Sequence, residues 1–142
     1  MLKRVLVTAA ICGALAAPMA HAQDAAKKSP PAATQGAGNI KRTILQKFDV
    51  PGTAYETVTG LAEIVANANI GRHSHFGLES GYVLEGQLVL MVAGQPDRAL
   101  KAGDSYQIPL GVVHDGKSGP AGAKVIATYV VEKGKPLATP AP

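Results

Sequence analysis

The sequence predicts an all-β chain, a sandwich or barrel of short antiparallel strands, and three observations predict it. Short apolar-rich runs recur at intervals of about ten residues between positions 42 and 131. Turn residues separate them, among them Pro51-Gly52, Gly86, Gly103 and the pair Pro109 and Gly111. No stretch in that span sustains the apolar spacing of a helix.

Ahead of the sheet, residues 1–22 read as an export signal, with Lys3 and Arg4 at the positive end, an apolar middle over 5–17 and an Ala20-His21-Ala22 cleavage site. The apolar middle, interrupted by Thr8 and Gly13, is too short to span a bilayer. Cleavage before Gln23 would leave no stable membrane anchor. Cys12 is the single cysteine, and Ile11 stands before it where a lipidation signal needs a small residue. A Lys-Arg pair in place of twin arginine points to Sec-type export of an unfolded chain, to the periplasm or the extracellular space. The mature chain then keeps no cysteine for disulfides, and its stability must come from a packed core and any bound metal. Without Lys3 and Arg4 it carries 12 Lys+Arg against 10 Asp+Glu, a charge of +2. That is too mild a charge to argue for nucleic acid or an anionic membrane.

Residues 23–39 hold no large apolar side chain, cannot offset their ordering entropy, and are expected to be a flexible linker. Residues 134–142, with Pro136, Pro140 and Pro142, are expected to be a flexible tail. One domain, 40–133, lies between them. Its first strand, 42–48, alternates apolar and polar residues until Pro51-Gly52. A second covers 55–65, with Gly60 as a point of division. Strands at 72–76, 81–84 and 87–92 follow, the last two joined by a hairpin at Gly86, which is free to take positive φ. Strands at 98–100, 105–108, 112–114 and 124–131 complete the set, with the turn at Pro109 and Gly111 delivering His114. In 124–131 both faces are fairly apolar, with Val125, Ala127, Tyr129 and Val131 opposite Lys124, Ile126, Thr128 and Val130. An outer face of that kind needs a cover, from the N-terminal strand or a second subunit, and a homodimer is expected.

All the histidines of the mature chain fall in one stretch. His73 and His75 are two apart, Glu79 follows, and His114 arrives after the Pro-Gly turn. On a strand the first two share a face with Cα atoms about 6.6 Å apart. Two imidazoles on one face, a carboxylate and a third imidazole from a neighbouring strand can converge on one divalent transition metal ion.

At these residues the chain resembles the cupin family. The first family motif, HxHxxxE with a Gly after six more residues, is met by His73, His75, Glu79 and Gly86; the second, G, five residues, PxG, two residues, H, is met by Gly103, Pro109, Gly111 and His114. Asn67 stands where the pattern has a Gly, and Ser118 where it has an Asn. Asn tolerates left-handed backbone, and Ser118 is no ligand position in the pattern, so the metal set is untouched. The resemblance implies a double-sheet jelly-roll β-barrel with the four donors lining its interior.

It also implies a first shell shared by dioxygenases, isomerases, decarboxylases and proteins with no turnover, so zinc, copper, iron, manganese and nickel all fit as the metal and the reaction is open. Loading outside the cytoplasm favours zinc or copper. Candidates around the donors are Tyr82, Met91, Tyr106, Gln107, Asp115 and Tyr129. Period-two parity places Tyr82 outward and leaves Asp115 a solvated strand-end charge. With few other charges available, the pocket should take a small, mostly apolar or aromatic molecule. Open coordination positions suit oxygenase-like chemistry on a phenolic or enolic chelator; the alternative is an exported protein that binds a metal or small ligand without turnover, and an empty structural barrel is disfavoured by the intact donor set. No helix-turn-helix segment supports a DNA-linked sensor.

Overall fold

The computed structural model describes residues 34–142, so the export signal and most of the linker lie outside the described residues. Nine strands follow one another: β1 (Thr34–Ala37), β2 (Ile40–Asp49), β3 (Tyr55–Ile64), β4 (His73–Ser74), β5 (Gly77–Val92), β6 (Arg98–Lys101), β7 (Ser105–Ile108), β8 (His114–Glu132) and β9 (Thr139–Pro140). No helix occurs among the described residues. All pairings are antiparallel and join the strands into one sheet, in the order β1-β2-β3-β8-β4-β9, with β5 pairing β6, β7 and β8. The sheet curls into a half-barrel. The expected division into two sheets is bridged because β5 and β8 are long enough to run through both halves and pair along most of their length.

The alternation expected of half-buried strands is clear in β5, where Gly77, Glu79, Gly81 and Val83 are buried and Leu78, Ser80, Tyr82 and Leu84 are exposed. Val83, Leu88, Ile108 and Val131 are the largest side chains that are fully buried. Around Val83 and Leu88, the contiguous core brings in Ile40, Ile64, Leu90 and Val125. At about 25 cal/mol per Å² of apolar surface, each such side chain stabilises the fold by roughly 1.5–3 kcal/mol.

Several local expectations need correction. Gly86 makes no hairpin: β5 runs through it, with register shifts between Val83 and Glu85 and between Gly86 and Leu88. Its φ is +75°, and a Cβ there would lie 2.1 Å from the Gly122 carbonyl oxygen, so the glycine serves a close crossing of two bent strands. β3 is continuous through Gly60, because the irregularity falls on β2, between Ile44 and Gln46. The tail expected to be loose is docked: β9 pairs with β4, Ala141 N–H donates to Arg72 O at 3.0 Å, and Arg72 Nε–H donates to Pro142 O at 2.6 Å. Its apolar side chains are too few to drive this, but β4 offers an unpaired edge, and main-chain pairing is indifferent to side chains. At the other end Thr34–Ala37, expected as linker, pairs with β2.

The two departures from the motif pattern meet each other. Asn67 has φ 55° and its N–H donates to Gly119 O at 3.0 Å. Ser118, buried beside it, donates to Val65 O at 2.6 Å and accepts from Ala68 N–H at 3.0 Å. The left-handed turn expected at Asn67 is present and clamped.

Candidate metal centre

The four motif residues come together from three strands or their edges. His73 pairs in register with His114, which also pairs with Val92 of β5. His75 follows β4, and Gly111 N–H, in the Pro109 turn, donates to its carbonyl at 3.1 Å. Glu79 enters from β5 between Ile108 of β7 and Tyr129 of β8. One ligand atom from each of His73, His75, Glu79 and His114 lies within 4.8 Å of every other. His75, Glu79 and His114 are each 5% exposed, and His73 is half-buried.

Main-chain carbonyls fix all three rings. Nδ1–H donates to Gly71 O from His73 at 2.7 Å and to Val112 O from His114 at 3.0 Å. The Nδ1–H of His75 donates to Leu137 O, in the docked tail. Each Nε2 is then left with a lone pair turned inward. Glu79 Oε2 lies 2.9 Å from His75 Nε2 and 3.2 Å from His114 Nε2, and neither His75 Nε2 nor Glu79 Oε2 has a hydrogen-bond partner. Acceptors buried face to face repel unless a cation lies among them. A divalent ion satisfies the whole set at once, which is the test that a metal site must pass.

The surroundings hold the carboxylate in place. Tyr106 O–H donates to Glu79 Oε1 at 2.9 Å. It reaches that far because its inward neighbour across the pair is Gly81. A Cβ on Gly81 would lie 2.1 Å from Tyr106 Cζ, so the ring lies across bare backbone. Burial, then the Glu79 charge, pushes the Tyr106 phenol far up and keeps it a donor. Tyr129, its ring centroid 4.9 Å from that of His75, is raised for the same reasons. Burial also raises Glu79, but the His114 and His75 rings close beside its carboxylate outweigh that and hold the carboxyl well below the usual range. Burial lowers His73; for His114 it is outweighed by Glu79, and the net shift is upward.

Of the surrounding candidates, Tyr106 and Tyr129 are inside, Tyr82 is outward and 44% exposed, and Gln107 is exposed. Met91 is half-buried opposite Asp115. Asp115 is not a solvated charge: its Oδ1 accepts from Gly71 N–H at 2.8 Å and Gly116 N–H at 2.7 Å, bracing the turn whose carbonyl holds His73. Sequence reasoning missed the Leu137 carbonyl and the inward Arg42. The donors open into a cavity of about 440 Å³ with largely apolar walls, including Ile44, Leu61, Leu90 and Ala127, together with Arg42, Tyr129 and Leu137. A larger, more open hollow of about 710 Å³, lined by Lys41 and Glu63 among others, contains none of the four donors.

A family model described as a cupin domain matches residues 60–135. No curated protein sequence matches the chain. Among solved structures, an RmlC-like cupin from Shewanella frigidimarina is 26% identical, with 72% of this chain and 86% of that one covered and a TM-score of 0.59. The DMSP lyase DddQ from Ruegeria pomeroyi is 16% identical, with 72% and 51% covered and a TM-score of 0.61. A variant of oxalate decarboxylase from Bacillus subtilis is 12% identical, with 78% and 30% covered and a TM-score of 0.64.

Proposed function

The chain belongs to the cupin family, and from that premise we propose that it is an exported metalloprotein acting on a small organic molecule through one divalent transition metal ion held by His73, His75, Glu79 and His114. The carrying observation is the meeting of inward Nε2 lone pairs with Glu79 Oε2 at the edge of a mostly apolar cavity. Bound there, the ion would polarise a chelated hydroxyl or carbonyl and lower the pKa of its water. The protein's own part is to fix the three tautomers through main-chain carbonyls, hold Glu79 with Tyr106, and exclude bulk water with the cavity walls. Oxygenase-like turnover of a phenolic or enolic chelator is the favoured activity. Two of the similar structures are named as enzymes, a lyase and a decarboxylase, which supports turnover and leaves the reaction open.

Replacing His73 and His75 together by Ala should abolish stoichiometric metal in protein isolated from its native compartment, where zinc or copper is expected. Retained metal overturns the ligand assignment, and iron as the sole occupant overturns loading outside the cytoplasm. Oxygen uptake by iron-, copper- or nickel-loaded protein, surveyed over phenolic, diketone and thiol compounds, tests turnover.

One observation favours a second reading, binding without turnover. Among the described residues the only carboxylates lining the cavity are Glu79 and Asp115, and both are engaged. Among the described residues, only the Tyr129 phenol, held neutral by its raised pKa, is left to face the space where a substrate would sit. Single-turnover chemistry would remove this reading. The outer face supports the homodimer: Phe48, Val130 and Leu78 are exposed in a row that crosses β2, β3, β8 and β5 through Thr57.

A further inference from the structure

Along β2 the side chains alternate, and their partners show which way each one faces. Lys41 turns outward and pairs with Glu63 at 3.1 Å. Ile40, one residue before it, is buried in the core. Arg42 therefore turns inward, and both it and Ile44 line the donor cavity. It stands beside Ala62 and Val125, which fill the inner face of the adjoining strands without offering a polar group.

An inward guanidinium normally has a carboxylate to meet. Among the described residues Arg42 forms no salt bridge and no side-chain hydrogen bond. The cavity cannot supply a partner, since Glu79 is committed to the donor set and Tyr106, and Asp115 to two main-chain amides. Arg42 belongs to the same chamber as the donors: its charge acts on the Tyr129 hydroxyl, and the Tyr129 ring packs against His75. Three neutral imidazoles and one carboxylate would also leave a divalent ion with positive charge to spare. With the ion bound, the chamber would be positive in two places and apolar between them.

We propose that Arg42 is a specificity-determining residue that binds a carboxylate on the substrate, so that the molecule taken by the site is a small aromatic or enolic acid chelating the metal at one end and paired with Arg42 at the other. This deepens the metalloprotein reading above and rests on it. A planar guanidinium offers a carboxylate two parallel N–H donors, and in a largely apolar chamber such a pair discriminates strongly against a neutral isostere.

The test compares protocatechuate, a catechol bearing a ring carboxylate, with its uncharged carboxamide, by calorimetric titration of the zinc-loaded full chain. The wild type should bind the carboxylate about ten-fold or more tighter than the carboxamide. Arg42→Met should erase that preference while leaving carboxamide affinity within about two-fold, and Arg42→Lys should restore part of it. A preference unchanged in Arg42→Met overturns the proposal, as does a wild type that shows no preference or binds neither compound. Circular dichroism confirms that each variant is folded. Zinc content of the same samples separates the two readings: protein that takes up no zinc sinks the metal assignment, whereas zinc-replete protein indifferent to Arg42→Met sinks only the carboxylate subsite.

Discussion

Ending the chain after Lys135 should weaken metal binding while sparing the fold. The removed segment contains the Leu137 carbonyl that accepts the His75 Nδ1–H, and β9, which pairs His73 with Pro140 and Ser74 with Thr139. Its side chains add only a thin apolar wall beside the donors, from Leu137, Ala138 and Pro140. Loss of one ring-orienting hydrogen bond to a metal-binding histidine typically costs about 10- to 100-fold in affinity, which is ~1.4–2.8 kcal/mol at 1.4 kcal/mol per tenfold. Zinc affinity measured by competition with a chromophoric chelator should fall by that factor. The melting temperature of the metal-free protein should move by only a few degrees, since the buried core lies in β2 to β8. Leu137→Ala is the control, because it keeps the carbonyl: its affinity should stay within about three-fold of wild type. A truncated protein that binds zinc as tightly as the full chain would refute the argument that the tail orients His75. So would a Leu137→Ala variant as weak as the truncation, because the side chain would then be responsible.

Gly81→Ala should destabilise the protein by about 1–3 kcal/mol, because the added methyl overlaps the Tyr106 ring; denaturant titration reads this, and combining it with Tyr106→Ala should cost less than the sum of the two single changes. In the metal-free protein three shifts shape stability, and the lowered pKa of His73, which costs stability as pH falls below 6.5, opposes that of His114. The lowered pKa of Glu79 contributes stability that is present above its ordinary value of 4.5 and lost as pH falls; the raised pKa of His114 contributes stability that is present below 6.5 and lost as pH rises through the folded value. Denaturation midpoints of chelator-treated protein should therefore fall as pH drops below 4.5, and Glu79→Gln should flatten that acid limb. Leu78→Glu, on the exposed outer row, should convert a homodimer to monomers in light scattering after size exclusion, with zinc content unchanged; a wild type already monomeric at high concentration removes the dimer.

The donor set was legible because its information is one-dimensional. Two histidines at strand spacing share a face wherever the strand lies, and the Pro109 turn delivers His114 whatever the neighbouring order. The outward parity of Tyr82 was readable for the same reason. What escaped depends on pairing. Tyr106 could be named as a neighbour of the site, yet its bond to Glu79 requires β7 to lie beside β5 with Gly81 opposite the ring. Asp115 was placed at the strand end as expected, but its partners are main-chain amides, one of them 44 residues back at Gly71. Gly86 illustrates an ambiguity of residue type: positive φ serves a hairpin turn and a bent crossing equally well, and only the Gly122 backbone opposite decides. Leu137 acts through its carbonyl, which every residue has, so no side-chain signal marked it. Arg42 fell within a strand that was read correctly, but only the curl of the sheet brings its inner face over the donors.

The division of the donors among β4, β5 and β8 bears on how the molecule assembles. No hairpin contains all four, and the one register pair between donors joins His73 to His114 across 41 residues of chain. Such distant pairings form late in sheets dominated by long-range contacts. Ion uptake should therefore be silent through early collapse and switch on only when the last edges close, making a zinc-responsive dye in a stopped-flow instrument a clock for the final event of refolding.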